Sequence, residues 1–218
     1  MHNFVSFKKY PDAAQAMEIE HLLLSNNIEC VFVDNGSLLD GSFGGTAIKD
    51  YEIKLQPQDF AAATQLLLAH AEQWTSDVPD DYYLLTFTDE ELYEVVQKKD
   101  EWSEFDYVLA QKLLSERGKA IDTQSLKQLE NERMLALAWP DDLPFGWIIA
   151  GYIFALLGGV FGVITGYLIY TSKKTLPDGT KVYSYSQGRR AHAKNILILS
   201  CVVIAISGIL RILQAMER

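Results

Sequence analysis

Apolar residues in the first seventy positions recur with two different periods. Phe4 to Phe7 is a short apolar run. After it, Ala16, Ile19 and Leu23 return every third or fourth position behind Pro11, the spacing of an amphipathic helix entered at a proline. The run "IECVFVD" is apolar on both faces, and Tyr51, Ile53 and Leu55 alternate with Glu52 and Lys54, so two strands are expected, the second with one wet face. A second helix begins at Pro57 and carries Phe60, Ala63 and Leu67 on one side. The order β-α-β-β-α buries these faces most simply as helices on one side of an antiparallel sheet. The expected fold class is therefore α+β, with a small ferredoxin-like βαββα sandwich over 1–75.

A stretch rich in Asp and Pro, 76–87, reads as a linker, and helical periodicity resumes at 88–139. Thr88 and Glu91 have the spacing of a capping box; Phe105, Leu109 and Leu113 share a helix face that Gly118 ends; Asp122 or Thr123 caps a third helix. This is a helical connector leading to a third pattern, in which charge disappears. Phe145 to Tyr170 holds no charged residue, and as one helix it would be about 39 Å long, enough to span a hydrocarbon core of about 30 Å with tilt. Ile196 to Leu213 spans about 27 Å if Arg211 snorkels. The expectation is a two-helix transmembrane hairpin, 145–170 and 196–213, joined by a basic loop at 171–195. Gly158, Gly162 and Gly166 recur at four-residue spacing and clear a groove for close helix packing, against Ser200, Cys201, Ala205, Ser207 and Gly208.

Charge adds a question of sidedness. Met1 to Trp139 carries 11 basic and 25 acidic side chains, and the remainder 8 and 4. The acidic part lacks the clustered cations that phosphate backbones require, which excludes nucleic acid as a partner. In a two-pass hairpin the loop and the acidic domain lie on opposite sides. Lys173, Lys174, Lys181, Arg189, Arg190 and Lys194 favour a cytoplasmic loop, whereas the N-terminus lacks the apolar run of a signal peptide that would export the acidic domain. The expectation follows the second argument: acidic domain cytoplasmic, basic loop outside.

The passages "DAAQAMEIEHLLLSNNIECVF" and "IKLQPQDFAAATQLLL", with the glycine-bearing loop between them, resemble the prokaryotic signal-transducing protein domain, a family of unknown function. The resemblance covers Asn3 to Gln73. It departs at Asn27, where such domains usually place Gly before the second strand, and Asn tolerates the left-handed turn nearly as well. The resemblance implies sensing or protein contact in the bacterial cytoplasmic membrane and supplies no catalytic residues. The loop from Asp34 to Asp50 is where a ligand site would be sought, at Asp34, Asn35, Gly36, Gly41, Gly44 and Gly45, although its glycines match neither a P-loop nor a dinucleotide fingerprint and a plain connection is the simpler reading.

No other constellation carries chemistry. Asp80, Asp81, Asp89, Glu90 and Glu91 sit where carboxylates solvate a linker or complement a helix dipole. His2, His21, His70 and His192 lack ligand spacing, and Cys30 and Cys201 make neither a disulfide framework nor a metal site. No catalysis, metal or cofactor is expected. The reading is a membrane-anchored sensing or protein-interaction module, partnered by the bilayer and by another membrane protein or a second copy, with a small-molecule ligand of unknown identity. Its alternative is a structural accessory subunit of a larger membrane complex.

Overall fold

The structure is a computed structural model that describes residues 3–35, 50–157 and 159–216. They form two compact units, one of 1–137 with 175–180, the other of 138–174 with 181–218.

The first unit opens with β1 (Val5–Tyr10), α1 (Ala13–Ser25), β2 (Cys30–Asp34), β3 (Tyr51–Leu55) and α2 (Phe60–Glu72). The sheet is antiparallel in the order β1-β3-β2. The alternation in β3 explains its central place, because Ile53 and Leu55 are fully buried against Ala16 and Leu23 of α1 and Phe60 and Ala63 of α2. A register shift between Ser6 and Lys8 disturbs β1, where the Phe7 ring meets Phe60 edge-on at 5.0 Å. Asp12 caps α1 by accepting from the Gln15 amide at 3.1 Å. Asn27 has φ of 59°, the left-handed turn expected there, and it lets the Ile28 amide reach the Leu23 carbonyl at 3.0 Å. The helix expected from Pro57 starts with a short 3₁₀ turn, Pro57–Asp59, before α2.

Three helices follow: α3 (Asp89–Gln97), α4 (Glu104–Glu116) and α5 (Thr123–Ala138). Thr88 and Glu91 make the reciprocal capping box, and Asp122 accepts from the amides of Gln124 and Ser125 at the start of α5. Leu92, Val95 and Val96 pack on Tyr107, Leu109, Ala110 and Leu114. Leu84, within 76–87, is fully buried in that same core on a 3₁₀ turn, Tyr83–Thr86. The Thr175–Thr180 tip belongs to this unit; a Cβ on Gly179 would lie 3.1 Å from the Phe60 ring.

The second unit overturns the expected two-helix transmembrane hairpin. The run 145–170 is two helices of 12 residues, α6 (Phe145–Leu156) and α7 (Val160–Thr171). Gly159 has φ of 79°, a conformation that ends α6 and that glycine adopts without steric cost. Its amide closes back on the Phe154 carbonyl at 3.3 Å, and its own carbonyl accepts from Val163 at 2.9 Å as α7 begins. After a small hairpin, β4 (Lys173–Thr175) and β5 (Lys181–Tyr183), a single helix of 30 residues, α8 (Gln187–Met216), runs to the end of the described residues. It takes in the expected span 196–213 and also the last third of the presumed basic loop. Ser186 starts it: its hydroxyl accepts from the Arg189 amide at 3.4 Å and its carbonyl from Arg190 at 3.0 Å. The fold is therefore mixed α/β and predominantly helical, with two small sheets. Among the described residues only α8 is long and apolar enough to cross a membrane.

Candidate functional site

Both short helices lie along the first half of α8, in opposite directions. α6 runs parallel to it: the Phe145 ring is near the Arg189 guanidinium, the Tyr152 hydroxyl lies 3.3 Å from His192 Nδ1, and Gly151 faces Ile196. α7 comes back: Gly162 faces Ser200, Gly166 faces Ala193 and Leu197, and the Tyr170 carbonyl accepts from Arg190 Nε at 3.3 Å. A Cβ on Gly162 would fall 2.7 Å from Ala155 Cα, and one on Gly166 would fall 2.9 Å from the Ala193 carbonyl oxygen. These glycines therefore let three backbones meet. Gly158 lies outside the described residues. The facing set differs from the expected one, since Cys201 is exposed and Gly208 opens onto empty space. Polar side chains in this apolar unit are satisfied on their own helices: Ser200 donates to Ile196 at 2.8 Å, Thr165 to Phe161 at 2.8 Å and Thr171 to Tyr167 at 2.7 Å.

The ends of the excursion are tied together. The Asp141 amide donates to the Ser184 carbonyl at 2.7 Å, Asp141 bridges to Tyr185, and Lys174 Nζ donates to the Trp139 carbonyl at 2.7 Å and pairs with the Asp141 carboxylate. Around this junction lies a collar of cations and rings. The Arg190 guanidinium sits 3.2 Å from the centre of the Tyr183 ring and 5.3 Å from that of Tyr170, and Lys173 Nζ lies 4.8 Å from the Tyr183 ring. Beyond the collar, α6 and α7 expose Trp147, Ile149, Ile153, Leu156, Phe161, Ile164 and Leu168, and α8 exposes Ile198, Val202, Ile206 and Ile209. For a chain in water so large an apolar surface would be a liability, whereas in lipid it is the solvated face.

The loop expected to hold a ligand is described only at its base. Asn35 and Asp50 close it, the Asn35 amide donating to the Asp50 carbonyl at 3.1 Å, and the Asn35 side chain donates to Glu52 at 3.2 Å. Lys9 pairs with Asp50 at 2.7 Å and Lys54 with Glu52 at 3.3 Å. Burial disfavours the charged form of Glu52, but hydrogen bonds from Ser6, Asn35 and Lys54 and the Lys54 charge outweigh it and hold the carboxyl below its ordinary range. Asp34, at the end of β2, pairs in register with Tyr51. The base is thus self-paired and rich in carboxylates. Gly36, Gly41, Gly44 and Gly45 lie outside the described residues.

Elsewhere, an open groove of about 530 Å³ lies between α2, α4 and α5, and its lysines are already engaged: Lys99 pairs with Glu130 at 3.2 Å and Lys112 donates to the Thr75 carbonyl at 2.6 Å. Buried Asp106 accepts from the Tyr82 and Ser103 hydroxyls, each at 2.6 Å, which orders the start of α4. His70 rests on Trp74 and His192 on Tyr152, and no group of three metal-binding side chains occurs among the described residues. Sequence reasoning missed the collar because Tyr170, Tyr183 and Arg190 meet only after the chain turns back. The signal that was available was Gly158-Gly159, a doublet costly inside any helix. Comparison with protein families, with curated proteins and with solved structures found no match for this chain.

Proposed function

We propose that the chain is a membrane-anchored sensing or protein-interaction module of the bacterial cytoplasmic membrane. The observation that carries the membrane anchoring is α8, the one helix among the described residues long and apolar enough to cross a membrane; the hydrogen bond between Asp141 and Ser184 bears on how the first apolar run sits beside it. Entry into and exit from the first apolar run lie side by side, so α6 and α7 form a re-entrant hairpin. Each is 12 residues, about 18 Å, against a hydrocarbon core of about 30 Å. Gly159 reaches Ser200 and Ile204, four and eight residues beyond Ile196, where the apolar part of α8 begins, and hence about 6–12 Å below that level, short of mid-membrane. Only α8 crosses.

On this reading the two arguments over sidedness agree. The basic segment 171–195 and the acidic residues that precede Ala138 share the side from which the hairpin enters. The bias of basic flanks assigns that side to the cytoplasm and the C-terminal end of α8 to the outside. The resemblance of Asn3 to Gln73 to the prokaryotic signal-transducing domain supports the sensing role. One observation favours the accessory-subunit reading: the turn after α6 lies at a depth where exposed non-helical backbone is costly, and Leu156, Leu157 and Phe161 around it are exposed, as they would be if a partner helix covered them.

Site-specific photo-crosslinkers at Asn35 and at Leu157 of the full chain, used in cells, test both readings. An adduct of defined mass from Asn35 supports the module, and one from Leu157 supports the subunit. Failure of both positions to capture a partner overturns both readings.

A further inference from the structure

We propose that the collar formed by Lys173, Tyr170, Tyr183 and Arg190 binds the phosphate of an anionic phospholipid in the leaflet that the hairpin enters. The inference rests on the re-entrant reading and adds a ligand to it. Lys173 and Arg190 both approach the Tyr183 ring, at 4.8 Å and 3.2 Å, so the two charges lie no more than about 8 Å apart, a separation at which uncompensated cations repel. Neither makes an ion pair among the described residues, in contrast to Lys174, which is paired with Asp141. Arg189 has only a long contact, 3.8 Å, to Asp142, whose side chain is almost fully exposed. An anion that reaches these two unpaired charges at the rim of the Tyr183 ring supplies the counter-charge.

Depth and shape select a lipid. Arg190 lies six residues before Ile196, where the apolar part of α8 begins, so its guanidinium sits about 9 Å above the hydrocarbon border, at headgroup level. Nε is held on the Tyr170 carbonyl at 3.3 Å and the guanidinium carbon lies 3.2 Å from the centre of the Tyr183 ring, which leaves the terminal nitrogens as a fork suited to two phosphate oxygens. Tyr170 and Tyr183 are themselves 38% and 42% exposed, amphipathic rings of the kind that line the interface. Acyl chains of a lipid held there would run down the exposed apolar faces of α7 and α8.

The test uses the full chain reconstituted in phosphatidylcholine vesicles with trace spin-labelled lipid. Labelled phosphatidylglycerol should be retained at the protein surface in preference to labelled phosphatidylcholine. The preference should fall about five-fold for each of Lys173→Gln and Arg190→Gln and fall less in Arg190→Lys, which keeps the charge without the fork and guards against misfolding. Equal retention of the two lipids by the unaltered chain, or an undiminished preference in the double Gln variant, would overturn the proposal. Displacement of the labelled lipid by millimolar inorganic phosphate would also overturn it, by assigning the collar to a soluble anion. None of these outcomes bears on which termini cross the membrane, so the topology stands or falls separately.

Discussion

The backbone amide of Asp141 donates to the carbonyl of Ser184 across 2.7 Å. Between these residues the chain descends through α6, turns at Gly159, climbs through α7 and forms the β4–β5 hairpin. A hydrogen bond joining the two ends of such an excursion means that the chain leaves and returns at one end of the unit, where a single helix over 145–170 would have ended far from its start. The membrane reading of the C-terminal unit depends on this geometry.

Close packing at the glycines has a direct consequence. Gly162→Leu would force side-chain atoms into Ala155 and Ser200, backbone and buried hydroxyl that have little room to yield, whereas Ile153 is 48% exposed. Gly162→Leu should lose about 1–3 kcal/mol of stability in detergent, and Ile153→Leu should be near neutral. Thermal unfolding followed by helical circular dichroism compares them, and equal midpoints would refute the packing.

In the first unit, the Thr88 and Glu91 pair satisfies two amides at the start of α3. Thr88→Ala should cost about 1 kcal/mol, seen as a lower urea midpoint at unchanged slope. A Thr88→Ser variant should recover most of the loss.

Asp106 offers a larger effect. Its carboxylate is buried and takes the Tyr82 hydroxyl at 2.6 Å, and burial followed by the hydrogen bond to Asp106 pushes the Tyr82 phenol far above its usual range. Tyr82→Phe removes a hydroxyl donor to the buried Asp106 side chain and should cost about 1.5–3 kcal/mol. A loss no larger than that of Tyr93→Phe, an exposed position, would show that the bond does not hold α4 in place.

Glu52 makes acid sensitivity specific. Its folded carboxyl is held below the ordinary range, so the stability it contributes is fully present above its unfolded value, about pH 4.3, and is lost as pH falls through the lower folded value. Glu52→Gln should therefore be less stable than the unaltered chain near neutrality, with the gap closing below about pH 4. A gap independent of pH from 7 to 3 would mean that ionisation plays no part.

What could be read from the sequence was what neighbours decide. Asn27, Thr88 with Glu91, and Asp122 each set a turn or cap within a few residues, and each is found in that role. The break at Gly159 was also local, but an uncharged run from Phe145 to Tyr170 satisfies a length criterion for spanning so well that it masks a glycine doublet. Ser186 was hidden likewise, since its helix begins inside a segment whose basic character reads as loop. The ligand collar was beyond reach for another reason. Tyr170, Tyr183 and Arg190 are brought together by the return of α7 to its entry side, and no local pattern encodes that return. The ligand loop expected at Asp34 and Asn35 shows the converse: glycines marked it, while the described base is closed by its own charges.

The most direct test of the membrane account is cysteine accessibility in intact cells, with Cys30 and Cys201 replaced and single cysteines placed at Ser76, at Thr175 in the β4–β5 hairpin and at Gln214 near the end of α8. An impermeant maleimide should label Gln214→Cys, and should reach Ser76→Cys and Thr175→Cys only after permeabilisation. Labelling of Thr175→Cys in intact cells while Ser76→Cys and Gln214→Cys stay protected is the signature of a two-pass hairpin, and that result would contradict the re-entrant topology.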